Sequence, residues 1–400
     1  MTETPVNDVL GPEFVQDPYP LYDMLRSERP VTPVIMPSGN RAWLVTKYDD
    51  CRAALTEPAI CKNLCQLDAP NGPPTEDPNA FLNAHMLNSD PPDHTRLRQL
   101  VNKAFTARRV EGLRPRISEI CAGLLDRLAD ADREVDLIAE FAVPLPITVI
   151  CELIGIPHAD QDDFRAWSKV VVASTGTPEE WLATAGAMYL YMTNLFAAKQ
   201  RAPGDDLLSA LLEVQESDGG LSEQELLSMV FLLLITGHET TVNLIGNGML
   251  ALLLHPTEQA RLRADRSLMP NAIEELLRYD TPVGHATLRY TAEPTAVGGT
   301  VIPAGELVMV ALGSANRDPA RFGSPGDLDI GRETSGHLSF GHGIHYCVGT
   351  PLARLEAEIA FGGLLDRFGS ITLAVPPSSL RRNSSTLIHG LESLPVRVEA

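Results

Sequence analysis

The densest chemistry in this sequence is FGHGIHYCVG, residues 340 to 349, which sets Cys347 among three glycines, two histidines and a phenylalanine. Three residues after the cysteine begins TPLARLEAEIAFGGLLDRF, whose apolar spacing and Pro351 near its start predict a helix N-terminus. Unpaired N–H groups at such an end favour a thiolate over a thiol. Gly341, Gly343 and Gly349 lack a Cβ, so the backbone can fold tightly round the sulfur and come close to a flat ligand. Two chemistries suit this setting. Zinc would take His337, His342, His345 and Cys347, but all four lie within eleven residues of one Gly-rich segment, not in two separated ligand pairs. The other is thiolate ligation of a haem iron.

A second unusual run is ITGHETTVN, residues 235 to 243, between MVFLLLI and LIGNGMLALLL. In a buried helix Gly237 costs about 1 kcal/mol relative to Ala, and Glu239 is a charge in apolar surroundings. A local kink with a polar purpose accounts for both; the alternative is a solvent-facing stripe. The helix that carries this run is predicted to start at LSEQE, where Ser222 and Glu225 have capping-box spacing, and to stop near Leu254, before His255-Pro256. At ~1.5 Å per residue it is a rod of roughly 50 Å, long enough to cross the molecule.

The remaining chain reads as mostly helical. WLVTKYDD (43 to 50) and TAVGGTVIPAGELVMVAL (295 to 312) have the β-branched content and Gly punctuation of short strands and hairpins, and APNGPPTEDP (69 to 78) reads as a long loop. At 400 residues, 44% apolar and 21% charged, the expectation is a soluble, mainly α fold with small β-sheets, folded as a single domain over 1–400. Cysteines at 51, 61, 65, 121, 151 and 347 are too sparse for a secreted disulfide scaffold and suit a reducing cytoplasm. MTETPVNDVL shows no charged-then-apolar signal pattern, and the apolar stretch 229 to 255 is interrupted by His238, Glu239 and Asn243, so neither an export signal nor a membrane span is expected. A formal charge of −20 argues against nucleic acid as a partner. Against that background residues 96 to 116 carry seven basic residues and one acidic residue, Glu111. This run is either a solvated helix face or a docking face for an acidic partner or an anionic cofactor edge.

Phe340, Gly343, His345, Cys347 and Gly349 fit the pattern Phe-x-x-Gly-x-His-x-Cys-x-Gly, and the segment thereby resembles the haem-binding signature of the cytochromes P-450. EELLR with Glu275 and Arg278, GHETT in the long helix, LNSDPPDHTRLR (87 to 98) and FGSPGDLDIGR (322 to 332) resemble further family segments in the family's order. The resemblance covers essentially the whole chain and is closest to soluble bacterial members that tailor macrolides and other polyketides. It implies the cytochrome P-450 fold, with haem b between the long central helix and the cysteine-loop helix. Cys347 would be the axial iron ligand, its thiolate pushing electron density to favour O–O cleavage. His94, Arg98, Arg289 and His345 would hold the haem propionates, because carboxylates at a buried edge need charge-assisted donors. Glu239 and Thr240 would be the catalytic pair, relaying protons through water to oxygen. Glu275 and Arg278, with Arg332, would form a buried structural network. Thr236 stands where the family usually has Ala or Gly, narrowing the oxygen pocket or touching substrate.

No dinucleotide fingerprint or flavin-sized domain is present, so electrons are expected from elsewhere; the resemblance implies NAD(P)H, a ferredoxin reductase and a ferredoxin as their route. Outward residues of the basic run, Lys103, Arg108 and Arg109, would steer an acidic ferredoxin. The implied reaction inserts one oxygen atom from O2 into a bulky apolar substrate, by hydroxylation or epoxidation of a macrolide or other polyketide in antibiotic biosynthesis. Family position draws the pocket walls from 63 to 88, Ile235, Thr236, Val283 to Thr287 and Thr386 to Ile388, with Gly284 and Ala286 leaving room for bulk. A peroxygenase and a non-catalytic haem sensor would share the thiolate; the intact Glu239–Thr240 pair favours the monooxygenase. A monomer is expected.

Overall fold

The computed structural model describes residues 8–68, 83–130, 134–173, 178–215 and 220–399; the loop expected at 69–78 lies outside them. Glu223–Leu254 is the central helix, and its start is the predicted one: the Ser222 hydroxyl accepts from the Glu225 N–H while the Glu225 carboxylate accepts from the Ser222 N–H. Most of its residues are buried on all sides, because it packs against helices Pro144–Ile154, Met269–Tyr279 and Thr350–Arg367. It is long and apolar enough to cross a membrane, yet 67% of its most apolar window is buried inside the protein. The apolar residues form a core, as expected for a helix apolar all round. Close crossings need small residues: a Cβ at Gly248 would meet the Phe361 ring of Thr350–Arg367, and one at Gly237 would meet Ile150 of Pro144–Ile154.

Glu223–Leu254 is continuous α-helix through ITGHETT. Within this run Thr236 Oγ1 donates to the Leu232 carbonyl at 2.7 Å and Thr240 Oγ1 to the Thr236 carbonyl at 3.1 Å, one turn back in each case. Gly237 leaves room for the close approach of Ile150.

The main sheet has six strands in the order Asp8–Val9, Val31–Ile35, Arg41–Val45, Leu307–Val310, Arg289–Thr291, Ile60–Cys61. Arg41–Val45 pairs antiparallel with Val31–Ile35 and parallel with Leu307–Val310, Trp43 opposite Val308. As expected, Thr295–Val297 and Thr300–Ile302 form a hairpin, turned by Gly298 and Gly299 at φ +55° and +79°. The expected strand over 43–50 is cut short at Val45, and helix Tyr48–Thr56 follows. The Asp318 carboxylate accepts the Tyr48 N–H at 2.8 Å, supplying from far along the chain the cap that Lys47 cannot.

The Glu275 network forms as the sequence implied. Arg278 donates to both carboxylate oxygens, at 2.7 and 2.8 Å, and Arg332 Nε to Oε1 at 3.1 Å. Arg278 also takes the carbonyls of Asn316 and Pro325, so this fully buried pair is hydrogen-bonded on all sides and pins the segment ahead of the cysteine loop to helix Met269–Tyr279.

Candidate active site

Cys347 closes a tight loop, its N–H bonded to the Phe340 carbonyl at 2.9 Å. Gly341 and Gly343 take φ of +73° and +75°, and a Cβ at 343 would lie 3.0 Å from Thr56 Cγ2 and 3.1 Å from the Leu55 carbonyl oxygen. Glycine is therefore required at 343 twice over. Helix Thr350–Arg367 follows, with Pro351 in its first turn and Gly349 at its N-cap. Burial pushes the Cys347 thiol above its ordinary range, while the N–H of Gly349, the Thr350 hydroxyl and Arg98 pull it down. As expected, the helix-end donors favour the thiolate; they work against burial, and a metal cation bound to the sulfur would add to them.

The sulfur lines a largely apolar cavity. Cys347 and Phe340 belong to one wall, Thr236, Thr240 and Leu244 of the central helix to another. Val283, Ala286 and Thr287 are on the wall as expected. Among the described residues Gly284, Ile235 and Thr386 to Ile388 are not. Ile235 faces a separate small void beside His238. The 386–388 segment backs the wall: the Leu387 carbonyl accepts the Gly284 N–H at 2.9 Å, and His285 Nδ1 bonds the Thr386 carbonyl at 2.7 Å.

Three of the five residues expected to hold the cofactor come together with buried nitrogens unused. The His94 and His345 rings are 4.3 Å apart, and His94 Nδ1 and Nε2, His345 Nε2 and Arg289 Nε are buried with no partner among the described residues. Burial and then Arg289 push His345 down to about 2, and burial pushes Arg289 down to about 10. Arg98 stands near enough to Cys347 for the two to interact electrostatically. Sequence reasoning missed Lys62, which is 2% exposed, with Nζ donating to Thr287 Oγ1 at 2.5 Å and the Leu288 carbonyl at 2.9 Å. Its only signal was a lone lysine in ICKNLC. Such a buried gathering of hydrogen-bond donors, with Arg98, Arg289 and Lys62 its basic members, is completed by an anion.

Thr240 lines the cavity; Glu239 does not, and its carboxylate accepts from Asn243 Nδ2 at 3.3 Å. Burial pushes the Glu239 carboxyl above its ordinary range, with Asn243 pulling the other way. Glu356, also missed, is fully buried, and burial holds its carboxyl well above the ordinary range, with Thr241 as its polar neighbour. The zinc alternative dissolves: His337 bonds Glu274 and Ser339, and His342 bonds Arg52.

The basic run is mostly internally paired. Arg96 binds Glu225 at the head of the central helix, Arg109 binds Asp205, Arg114 binds Glu111 and Glu358, and Arg116 binds Glu119 and Glu152. Lys103 and Arg108 carry no ion pair among the described residues and line a groove with Arg109.

The family profile for cytochrome P450 matches residues 196–390. Cytochrome P450 107B1 of Saccharopolyspora erythraea is 54% identical, covering 99% of both chains. Cytochrome P450 monooxygenase PikC of Streptomyces venezuelae is 49% identical over 98% of this chain and 94% of its own. The tirandamycin C-bound P450 monooxygenase TamI superposes with a TM-score of 0.90 at 48% identity, over 98% of this chain and 100% of that one. The chain belongs to the cytochrome P450 family, and its activity is that of a P450 monooxygenase. The haem this implies fits the site: a thiol at the cavity floor, glycines where a Cβ would obstruct, and buried unpartnered donors at one edge.

Proposed function

We propose that this protein is a ferredoxin-dependent monooxygenase that hydroxylates or epoxidises a bulky apolar polyketide of the macrolide kind, acting in the cytoplasm as a single-domain monomer. The observation that carries the reading is one apolar cavity with Cys347 and Thr240 on its walls and unpartnered basic groups at its edge. Cys347 would hold the iron, and His94, Arg98, Arg289 and His345 the propionates, with the buried Lys62 adding positive charge nearby. Haem, when bound, supplies the redox centre at which O2 is reduced and one oxygen atom is transferred.

The chain's own part is proton delivery and orientation. The Thr240 hydroxyl spends its hydrogen on the Thr236 carbonyl at 3.1 Å, which leaves its lone pairs free to hold a water in the cavity. Glu239, kept more readily protonated by burial, recharges that water with protons. An apolar wall with Ala286 opposite the central helix orients substrate mainly by shape. Similarity to a structure holding tirandamycin C supports the substrate class. The Glu239–Thr240 pair favours reductive activation over use of peroxide, and turnover with ferredoxin and NAD(P)H against turnover with peroxide alone separates the two.

The test is a spectral titration of the ferric protein with macrolides and other polyketides, with steroids, terpenes and fatty acids as controls. A low-to-high-spin shift and product formation are expected with polyketides; efficient oxidation confined to a fatty acid or terpene overturns the substrate class. Thr236 lines the cavity, and Thr236→Ala is expected to change product ratio more than stability.

A further inference from the structure

One side chain joins Glu239 to the C-terminal loop. Asn243, one turn beyond Glu239 and 2% exposed, donates through Nδ2 to the Glu239 carbonyl at 2.7 Å and to Oε1 at 3.3 Å. The carbonyl is an acceptor only, so the amide nitrogen must face it and Oδ1 must face away. Oδ1 abuts the backbone of Gly390, where an added Cβ would fall inside the carboxamide. Gly390 does not have a positive φ, so backbone conformation does not demand glycine there; the space it leaves is filled by Asn243. Gly390 is itself held, its carbonyl accepting the Asn383 N–H at 2.9 Å. One further turn along the same helix face, Asn247 Nδ2 donates to the His389 carbonyl at 2.7 Å. Asn247 thus fastens the helix to this loop, and Asn243 packs against it.

We propose that Asn243 is a positioning residue for the relay acid, holding the Glu239 carboxyl in one orientation on the central helix, and that Gly390 is the seat that fixes Asn243. The assignment rests on the reading of Glu239 as that acid. Glu239 is not among the residues lining the cavity, so its carboxyl must reach a water and return to a defined resting place. Without Asn243 that place is lost and the acid is misaligned more of the time. Neither Asn243 nor Gly390 lines the cavity, so substrate contacts are untouched.

The experiment compares Asn243→Ala, Gly390→Ala and Glu239→Gln, with the pairwise doubles, in the haem-loaded enzyme. Asn243→Ala is expected to lower kcat and product formed per NAD(P)H by up to about tenfold, short of losing a whole general acid, with KM and the substrate spin shift unchanged. Gly390→Ala should reproduce this, and in the Glu239→Gln background Asn243→Ala should add nothing. Thermal unfolding gives a readout independent of turnover: Gly390→Ala should lower Tm in the parent and not in Asn243→Ala, where the Cβ has room. If Glu239→Gln is impaired while Asn243→Ala is coupled normally, or if their losses add, the positioning role is overturned and the relay stands. If Glu239→Gln is indistinguishable from the parent, the relay reading itself falls.

Discussion

Lys62 is a buried lysine with no ion pair among the described residues. Burial, then Arg289, pushes it down from 10.5 to about 7, with Asp90 opposing. In the haem-free chain the unfolded state therefore keeps a proton between about 7 and 10.5 that the folded state has released. Stability from this group rises with pH across that window, and its cost is fully present below about 7. The Tm of the haem-free protein is expected to climb more from neutral to mildly alkaline pH than that of Lys62→Met. Propionates would favour the charged form, so Lys62→Met should also release haem faster to a scavenging protein, as absorbance would report. Thr240 and Cys347 give sharper outcomes. Thr240→Ala should keep the substrate spin shift while diverting reducing equivalents to peroxide, measured as product per NAD(P)H; Glu239→Gln should give a slower, milder defect. Cys347→Ser should abolish turnover and the red-shifted carbonyl Soret band of the reduced protein.

The central helix shows how much of an element is local. Its capping box and the His255-Pro256 stop were legible because both are settled within a few residues. Gly237 could not be read locally, because the contact it makes room for is with Ile150 of another helix. The same distinction separates glycines inside helices. A Cβ at Gly248 would sit 2.5 Å from Phe361 Cζ, whereas one at Gly362 would meet nothing within 4 Å. Gly362→Ala is expected to stabilise the protein by about 0.5–1 kcal/mol, the helix-propensity gain, and Gly248→Ala to destabilise it despite the same gain. Thermal or denaturant unfolding of the two variants checks the contrast.

At the scale of the molecule, a chain of net charge −20 keeps Lys103 and Arg108 unpaired among its described residues. Helix Ala107–Gly112 packs on Thr350–Arg367, the helix that follows Cys347, so this positive patch lies on the thiolate side. Reduction by an acidic ferredoxin should slow as salt rises, and Lys103→Glu with Arg108→Glu should slow it further at low salt and flatten the salt dependence, in stopped-flow reduction. The cysteine loop, the central helix, the Glu275–Arg278 pair and the donor residues at 94, 98, 289 and 345 could be named from the sequence alone, because spacing along one loop or helix, or a family pattern, specifies them. Lys62 beside Arg289, Asp318 capping Tyr48, Arg96 drawn to Glu225, the 386–388 segment behind the wall and Asn243 seated on Gly390 were decided only by the tertiary structure. Each depends on partners brought together from distant parts of the chain, and burial and pairing are properties of that assembly, not of any one segment.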